Sequence, residues 1–256
     1  MIPSNRRDIE YVSQQKLEVH KGEQTTRVTC LGGAFDLFLD NNDASLTGAI
    51  ASNGFWESWV TAWHVQNIGE GDIYVDLGAN AGYYTFLADY LGATVYAFEP
   101  QPNYIGLMAQ SAVFNGVNPT LFNTALSDSE GTVMLNLFGA MDGSASIVGE
   151  GWDGRHLNVK TRTLDSISLP AGNLIVKMDI EGAEELAWDG MTETLEYRKP
   201  TIILEYTPGA YSEHFWDKMT EYGKVSLVNF DGYEELVTRQ YAETRDDWIT
   251  LTVRPR

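Results

Sequence analysis

The stretch Val75–Thr85, VDLGANAGYYT, decides the fold of this 256-residue chain. It runs from a short apolar segment, Ile73–Leu77, through a glycine turn, Gly78 to Gly82, into a run that reads as a helix over Ala81–Leu91. Strand, glycine turn and helix in that order make the first crossover of an open α/β sheet, whose ligands bind beyond the carboxyl ends of the strands. Gly78 allows the tight turn, and Gly82 allows the helix to pack close to the strand. Two departures from a dinucleotide loop matter. Asn80 stands where a backbone touching pyrophosphate needs glycine, and Asp76 stands two residues before Gly78. Two like charges roughly 4 Å apart cost about 4 kcal/mol at an effective dielectric near 20, so Asp76 disfavours phosphate and favours a cation. S-adenosylmethionine carries an ammonium, a sulfonium and no phosphate, and meets that demand. Capping of the turn is the simpler role open to Asp76.

Outward from this turn, strands and helices alternate. Thr94–Phe98 is β-rich, Pro102–Asn115 opens on proline and carries one apolar face, and Leu121–Leu126 reads as a third strand. Leu174–Met178 is a strand followed by a helix over Glu181–Met191. Strands follow at Thr201–Tyr206, Val225–Phe230 and Trp248–Val253. This alternation predicts a parallel sheet covered on both faces. Glu99 ends the second strand, 17 residues after Gly82, where an acid accepts both hydroxyls of a ribose. Between Leu126 and Leu174 the alternation breaks. GTVMLNLF and HLNVKTRTL read as strands around a glycine-rich loop, a β insertion over about 131–164 that is expected to lie over the ligand edge. Upstream, short strands are expected at Val28–Thr29 and Ala34–Leu39, and the tryptophan-rich run Trp56–Ile68 has helical spacing that core packing explains. The division is an N-terminal extension, 1–50, and one domain, 51–256.

Composition bounds the partners. With 36 acids against 17 bases the formal net charge is −19, which repels nucleic-acid backbones and anionic lipid surfaces. Neither nucleic acid nor membrane is expected as a partner, and neutral or cationic acceptors are favoured over anionic ones. Cys30 is the single cysteine, so no internal disulfide forms. The first residues lack the apolar core of a signal peptide, and no apolar run approaches about 20 residues. A cytoplasmic location is the expectation. Oligomeric state is not specified.

Several strings occur in order: YVDLGANAGYYT, YAFEPQPN, NTALSDSEG, RTLDSI, VKMDIEGAEELAWDGM and KPTIILEY. Together they resemble the FkbM family of S-adenosylmethionine-dependent methyltransferases, mostly O-methyltransferases, over about residues 52–206. The string KMDIEGAE, 177–184, is the most specific of them. The resemblance implies a Rossmann-like class I methyltransferase: a seven-stranded, mostly parallel sheet with helices on both faces and an antiparallel last strand. It places Asp76, Gly78, Asn80 and Gly82 around the methionine part of the cofactor. Glu99, with Pro100 beside it, falls on the ribose, and Asn123–Leu126, including Ala125 and Leu126, lies near adenine. Glu57 matches an acid often found upstream of the glycine loop, with no role assigned.

Methyl transfer to a hydroxyl needs help in removing its proton near neutral pH. The strand ends supply Lys177, Asp179, Glu181 and Glu205 as catalytic candidates, with Lys177 and Asp179 on one side of their strand. Each has a bland alternative. Lys177 pairs with a neighbouring acid in that case, and Glu181 and Glu184 serve the dipole of a following helix. Asp179 and Glu205 could hold Mg²⁺, but two carboxylates are a thin metal site, so no metal ligands are assigned. His20, His64, His156 and His214 are unclustered and read as exposed bystanders, although His156 and His214 are placed within reach of a substrate. Phe55, Trp56, Trp59 and Trp152 offer faces on which a sugar could stack. The expected activity is methylation of a hydroxyl on a small molecule or glycan. A non-catalytic cofactor-binding module and a Rossmann oxidoreductase using NAD(P) are the alternatives.

Overall fold

The two strands that carry the site are apolar from end to end except at one residue each. In the computed structural model, which describes residues 2–43, 45–137, 144–149 and 155–256, these are β4 (Ile73–Leu77) and β10 (Leu174–Met178), buried along their whole length. Continuous burial is what a central parallel strand covered on both faces requires. The exceptions, Asp76 and Lys177, are register partners in the parallel ladder, so each charge sits beside its counter-charge.

The chain enters through α1 (Arg6–Gln15), an antiparallel sheet of β1 (Val19–Lys21), β2 (Thr25–Cys30) and β3 (Phe35–Asp40), then α2 (Leu46–Asn53) and α3 (Ser58–Asn67). After β4 come α4 (Tyr83–Tyr90), β5 (Thr94–Phe98), α5 (Pro102–Asn115) and β6 (Thr120–Phe122). A small sheet follows from β7 (Ala125–Leu126), β8 (Gly131–Asn136) and β9 (His156–Arg162). The second half holds β10, α6 (Glu184–Asp189), α7 (Thr192–Arg198), β11 (Thr201–Tyr206) and α8 (Phe215–Tyr222). It ends with β12 (Gly223–Val228), β13 (Glu234–Leu236), α9 (Arg239–Glu243) and β14 (Ile249–Pro255).

The main sheet runs β13-β12-β14-β11-β10-β4-β5-β6, with β11, β10, β4, β5 and β6 parallel and β14 antiparallel to both its neighbours. The sheet has eight strands among the described residues where seven were expected, the three-residue β13 lying on its outer edge. Alternation splits the core in two. Tyr74, Ala97, Ile175 and Ile203 face α3, α4 and α5, whereas Val75, Leu77, Val176 and Leu204 face α6, α7 and α8. The described residues of the N-terminal segment are not loosely appended. Ile9, Val28, Leu37 and Leu39 join the same core as Phe86 and Met108, and the Phe38 amide donates to Ser111 Oγ at 2.9 Å.

Two expectations shift. The third strand breaks at Asn123, whose side-chain amide donates to the carbonyls of Glu99 and Pro100 at 3.0 and 2.9 Å. There the chain leaves the main sheet as β6 and enters the small sheet as β7. The helix expected from Glu181 begins at Glu184, because Glu181 and Gly182 take left-handed φ values of 57° and 91°. Of the glycine-rich loop, residues 144–149 are described and Trp152 lies outside the described residues.

Candidate active site

Beyond the carboxyl ends of β5, β4, β10 and β11 lies a cleft of about 370 Å³. At one end Phe98, Pro100, Ala125 and Leu126 make an apolar wall. In the middle stand Gly78, Ala79, Asn80 and Glu99. At the other end Glu57, Lys177, Asp179, Glu181 and Glu205 meet Trp248. Of the catalytic and cofactor candidates drawn from sequence, all line the cleft except Asp76, Gly82 and Asn123, and of the aromatics Phe55, Trp56 and Trp59 it is Trp56 that does.

The glycine turn is closed on itself. The amides of Gly78 and Ala79 donate to Phe98 O, and that of Asn80 donates to Glu99 Oε2 at 2.9 Å. The Ala81 amide donates to Asn80 Oδ1, and that of Gly82 to Ala79 O. All five amides of 78–82 are thus engaged within the protein, and none is left to grip a phosphate. Gly78 has no substitute, because at φ 75° a Cβ there would stand 1.9 Å from Asp179 O. Gly82, at φ 91°, would meet Met108 and Phe86, so it sets the packing of α4 as expected of that glycine.

Asp76 is fully buried. Thr85 donates to its Oδ2 at 2.7 Å, and Lys177 Nζ stands 3.2 Å from its Oδ1. Its charge is therefore matched by Lys177 and does not line the cleft. Lys177 also donates to Gly78 O at 3.0 Å and stands 3.5 Å from Asp179 Oδ2, tying β10 to the turn. Burial works against the Lys177 ammonium, yet Asp76 and Asp179 outweigh it and hold the lysine charged well above its ordinary range. A lysine so held cannot accept a proton near neutral pH, which makes it a fixed charge and not a base.

Glu99 is nearly buried, and each of its oxygens accepts one backbone amide, from Asn80 and from Gln101. Burial pushes it up to about 7 while those two amides pull it down. A carboxylate has about four acceptor positions, so two remain for hydroxyls in the cleft.

The acids at the far end are held unlike ordinary carboxylates. Glu57 takes φ 35° before α3, and Tyr84 donates to its Oε2 at 2.7 Å. Burial, then Asp179, raise it to about 7. Burial raises Glu181 to about 8, helped by Asp179 and Glu184. For Glu205 burial and then Asp179, Glu181 and Glu57 push it up to about 10. Non-glycine residues at positive φ gather at functional sites, and three of the five among the described residues, Glu57, Asn80 and Glu181, line this cleft. Glu184, the first residue of α6, holds the turn before the helix: its Oε1 accepts from the Ile180 amide at 2.8 Å. No group of three metal-binding side chains occurs among the described residues.

His64 corrects the reading of the histidines as exposed. It is fully buried in α3, bonded to Val60 O and Tyr74 and stacked on Tyr84, and burial lowers it to about 3. None of the four histidines lines the cleft. Sequence reading missed Asp43, Leu46 and Trp248 on the cleft wall. Asp43 sits in a polar turn, and Trp248 leads into the last strand, so neither carries a local motif. The described residues of the insertion do reach the site: Ser146 Oγ donates to Glu181 O at 2.6 Å, and Ser144, Ala145 and Ile147 line the cleft.

A family model described as the methyltransferase FkbM domain matches residues 76–226. The chain belongs to the FkbM methyltransferase family. Among solved structures, the methyltransferase FkbM from Methylobacillus flagellatus KT is 16% identical, with a TM-score of 0.47, and the match covers 73% of this chain and 44% of that one. This FkbM chain thus spans less than half the length of that relative. An rRNA methylase from Streptococcus thermophilus is 12% identical over 77% of this chain and 95% of its own, with a TM-score of 0.43. The Pyrococcus abyssi tRNA (uracil-54, C5)-methyltransferase, solved with S-adenosyl-L-homocysteine, is 11% identical over 93% of this chain and 43% of its own, at 0.46. A search of curated proteins gives no match. No helix among the described residues is long and apolar enough to cross a membrane.

Proposed function

We propose that this FkbM methyltransferase uses S-adenosylmethionine to methylate a hydroxyl of a small molecule or glycan. The observation that carries the choice of cofactor is the closed glycine turn, whose five amides are engaged while acids crowd the cleft beside it. Such a turn suits a cationic, phosphate-free ligand and opposes a nicotinamide dinucleotide. The residues present fit the cofactor. Glu99 keeps acceptor positions for ribose hydroxyls, the Phe98–Pro100 and Ala125–Leu126 walls suit an adenine face, and Gly78 to Asn80 flank the methionine part. When bound, the cofactor supplies an electrophilic methyl group on a positively charged sulfur.

The protein's own part is to bind the acceptor and take its proton. Asp179, with Lys177 beside it and its side chain 31% exposed, is the group we assign as proton acceptor. Glu205, protonated near neutral pH, donates a hydrogen bond to the acceptor, and Glu57, fixed by Tyr84, orients it. Lys177 holds Asp179 and the turn in one geometry. Isothermal titration tests the cofactor directly. S-adenosylmethionine is expected to bind and NADH is not, and an absence of S-adenosylmethionine binding at millimolar concentration overturns the reading.

A further inference from the structure

One wall of the cleft is built by the N-terminal segment, where sequence carries no site motif. Asp43, Ser45 and Leu46 line the same cavity as Asn80, Glu99 and Gln101. Asp43 is 4% exposed, and each of its carboxylate oxygens accepts one hydrogen bond. Oδ1 takes the Leu46 amide at 3.0 Å, where the chain enters α2, and Oδ2 takes the Tyr104 hydroxyl at 3.1 Å. Tyr104 is buried in the first turn of α5, the helix that leads on from Glu99 and Gln101. Its hydroxyl thus ties the N-terminal wall to the element that carries on from the ribose acid. The other walls are held differently. The glycine turn is locked by its own amides, and β4, β5 and β10 are fixed by the sheet ladder and the core. A cleft of about 370 Å³ stands at the small end of the roughly 300–1,000 Å³ in which single ligands bind, so its walls close tightly on a nucleoside-sized cofactor. A ligand held so closely leaves when a wall yields.

We propose that Tyr104 is a positioning residue for the cofactor: through Asp43 it holds the N-terminal wall shut, and release of that bond sets how fast the cofactor and its product exchange. This rests on the methyltransferase reading given above and adds the gate of the same site. Tyr104 does not line the cleft, so it acts through Asp43. A hydroxyl bonded to a buried carboxylate keeps a wall closed most of the time and still lets it open within a catalytic cycle. Enzymes whose product leaves only through such an opening are often limited by it.

The test follows S-adenosylhomocysteine by stopped flow, read by tryptophan emission because Trp56 lines the cleft. Tyr104→Phe keeps the buried ring and removes only the hydroxyl. It is expected to raise the association and dissociation rates together, each about tenfold, the order set by losing a hydrogen bond to a charged group. Affinity then changes by less than either rate. Asp43→Asn leaves one acceptor for two donors, opens the same bond from the other side, and should behave likewise. The double variant should be no faster than the faster single variant, since the two substitutions break one shared interaction. Rates equal to those of the wild type in both single variants overturn the inference and leave the cofactor reading intact. Faster dissociation with unchanged association also overturns it, because that pattern marks a lost contact and no gate. Failure of S-adenosylhomocysteine to bind the wild-type protein takes both readings down together.

Discussion

At the scale of single residues, Glu99 shows how one side chain serves fold and site together. Its two oxygens hold the amides of Asn80 and Gln101, so it fixes the glycine turn to the end of β5 before any ligand arrives. Glu99→Gln keeps one acceptor for two donors and leaves a buried amide unmatched, at a cost of about 1–3 kcal/mol. We expect this variant to fold with a lowered Tm and to bind S-adenosylmethionine at least tenfold more weakly by calorimetry. A lowered Tm with unchanged affinity would confine Glu99 to a structural role. The position of Glu99 was legible because strand-end acids in this architecture have a known geometry. The division of labour between Asp76 and Lys177 was not legible, since the two stand on different strands and only the sheet register makes them partners.

At the scale of elements, the best-marked segments were those with strong local signals. The bounds of β4, β5, α5, β10 and β11 match the sequence reading, because apolar runs bounded by turns leave little choice of ends. In α5, Pro102 occupies the first turn, and Gly116 closes the helix at φ 70°, its amide bonded to Ala112 O and Val113 O. Gly106 lies exposed inside this helix with open space where a Cβ would go. Gly106→Ala should therefore stabilise the protein by about 0.5–1 kcal/mol, read as a higher urea midpoint with cofactor affinity unchanged. By contrast α1, α2 and α8 went unread. Their patterns are short or polar, and packing against the main body decides that they are helices: Ile9 and Ile50 bury in one core, Phe215 and Met219 in the other.

At the scale of the whole molecule, the acids of the cleft leave a mark on stability. Glu57 and Glu99 at about 7, Glu181 at about 8 and Glu205 at about 10 all stand above their unfolded value, chiefly through burial. In the window between that value and the raised one, the folded protein binds more protons than the unfolded chain, so stability falls as pH rises. His64, lowered to about 3 by burial, acts oppositely below its unfolded value of 6.5 and is neutral in both states above it. Between pH 6.5 and 8.5 the acids alone decide, and the Tm of the ligand-free protein should drop across that range. Differential scanning calorimetry reads the trend, and a Tm that climbs from pH 6.5 to 8.5 would contradict the raised acids. A bound cation should flatten the slope.

What the sequence determined by itself was local and periodic: the strand–turn–helix of VDLGANAGYYT, the alternation that makes a parallel sheet, and the strand-end acids that mark its ligand edge. Hydrophobic period and glycine placement act over a few residues, so they survive without knowledge of the rest. Tertiary structure alone decided that Asp76 is neutralised from a distant strand, that the turn's amides are all engaged, and that Glu57, Trp248 and residues of the N-terminal segment close around one cleft. Those contacts join segments far apart in the chain. Their energies depend on register and burial, which exist only once the sheet has formed.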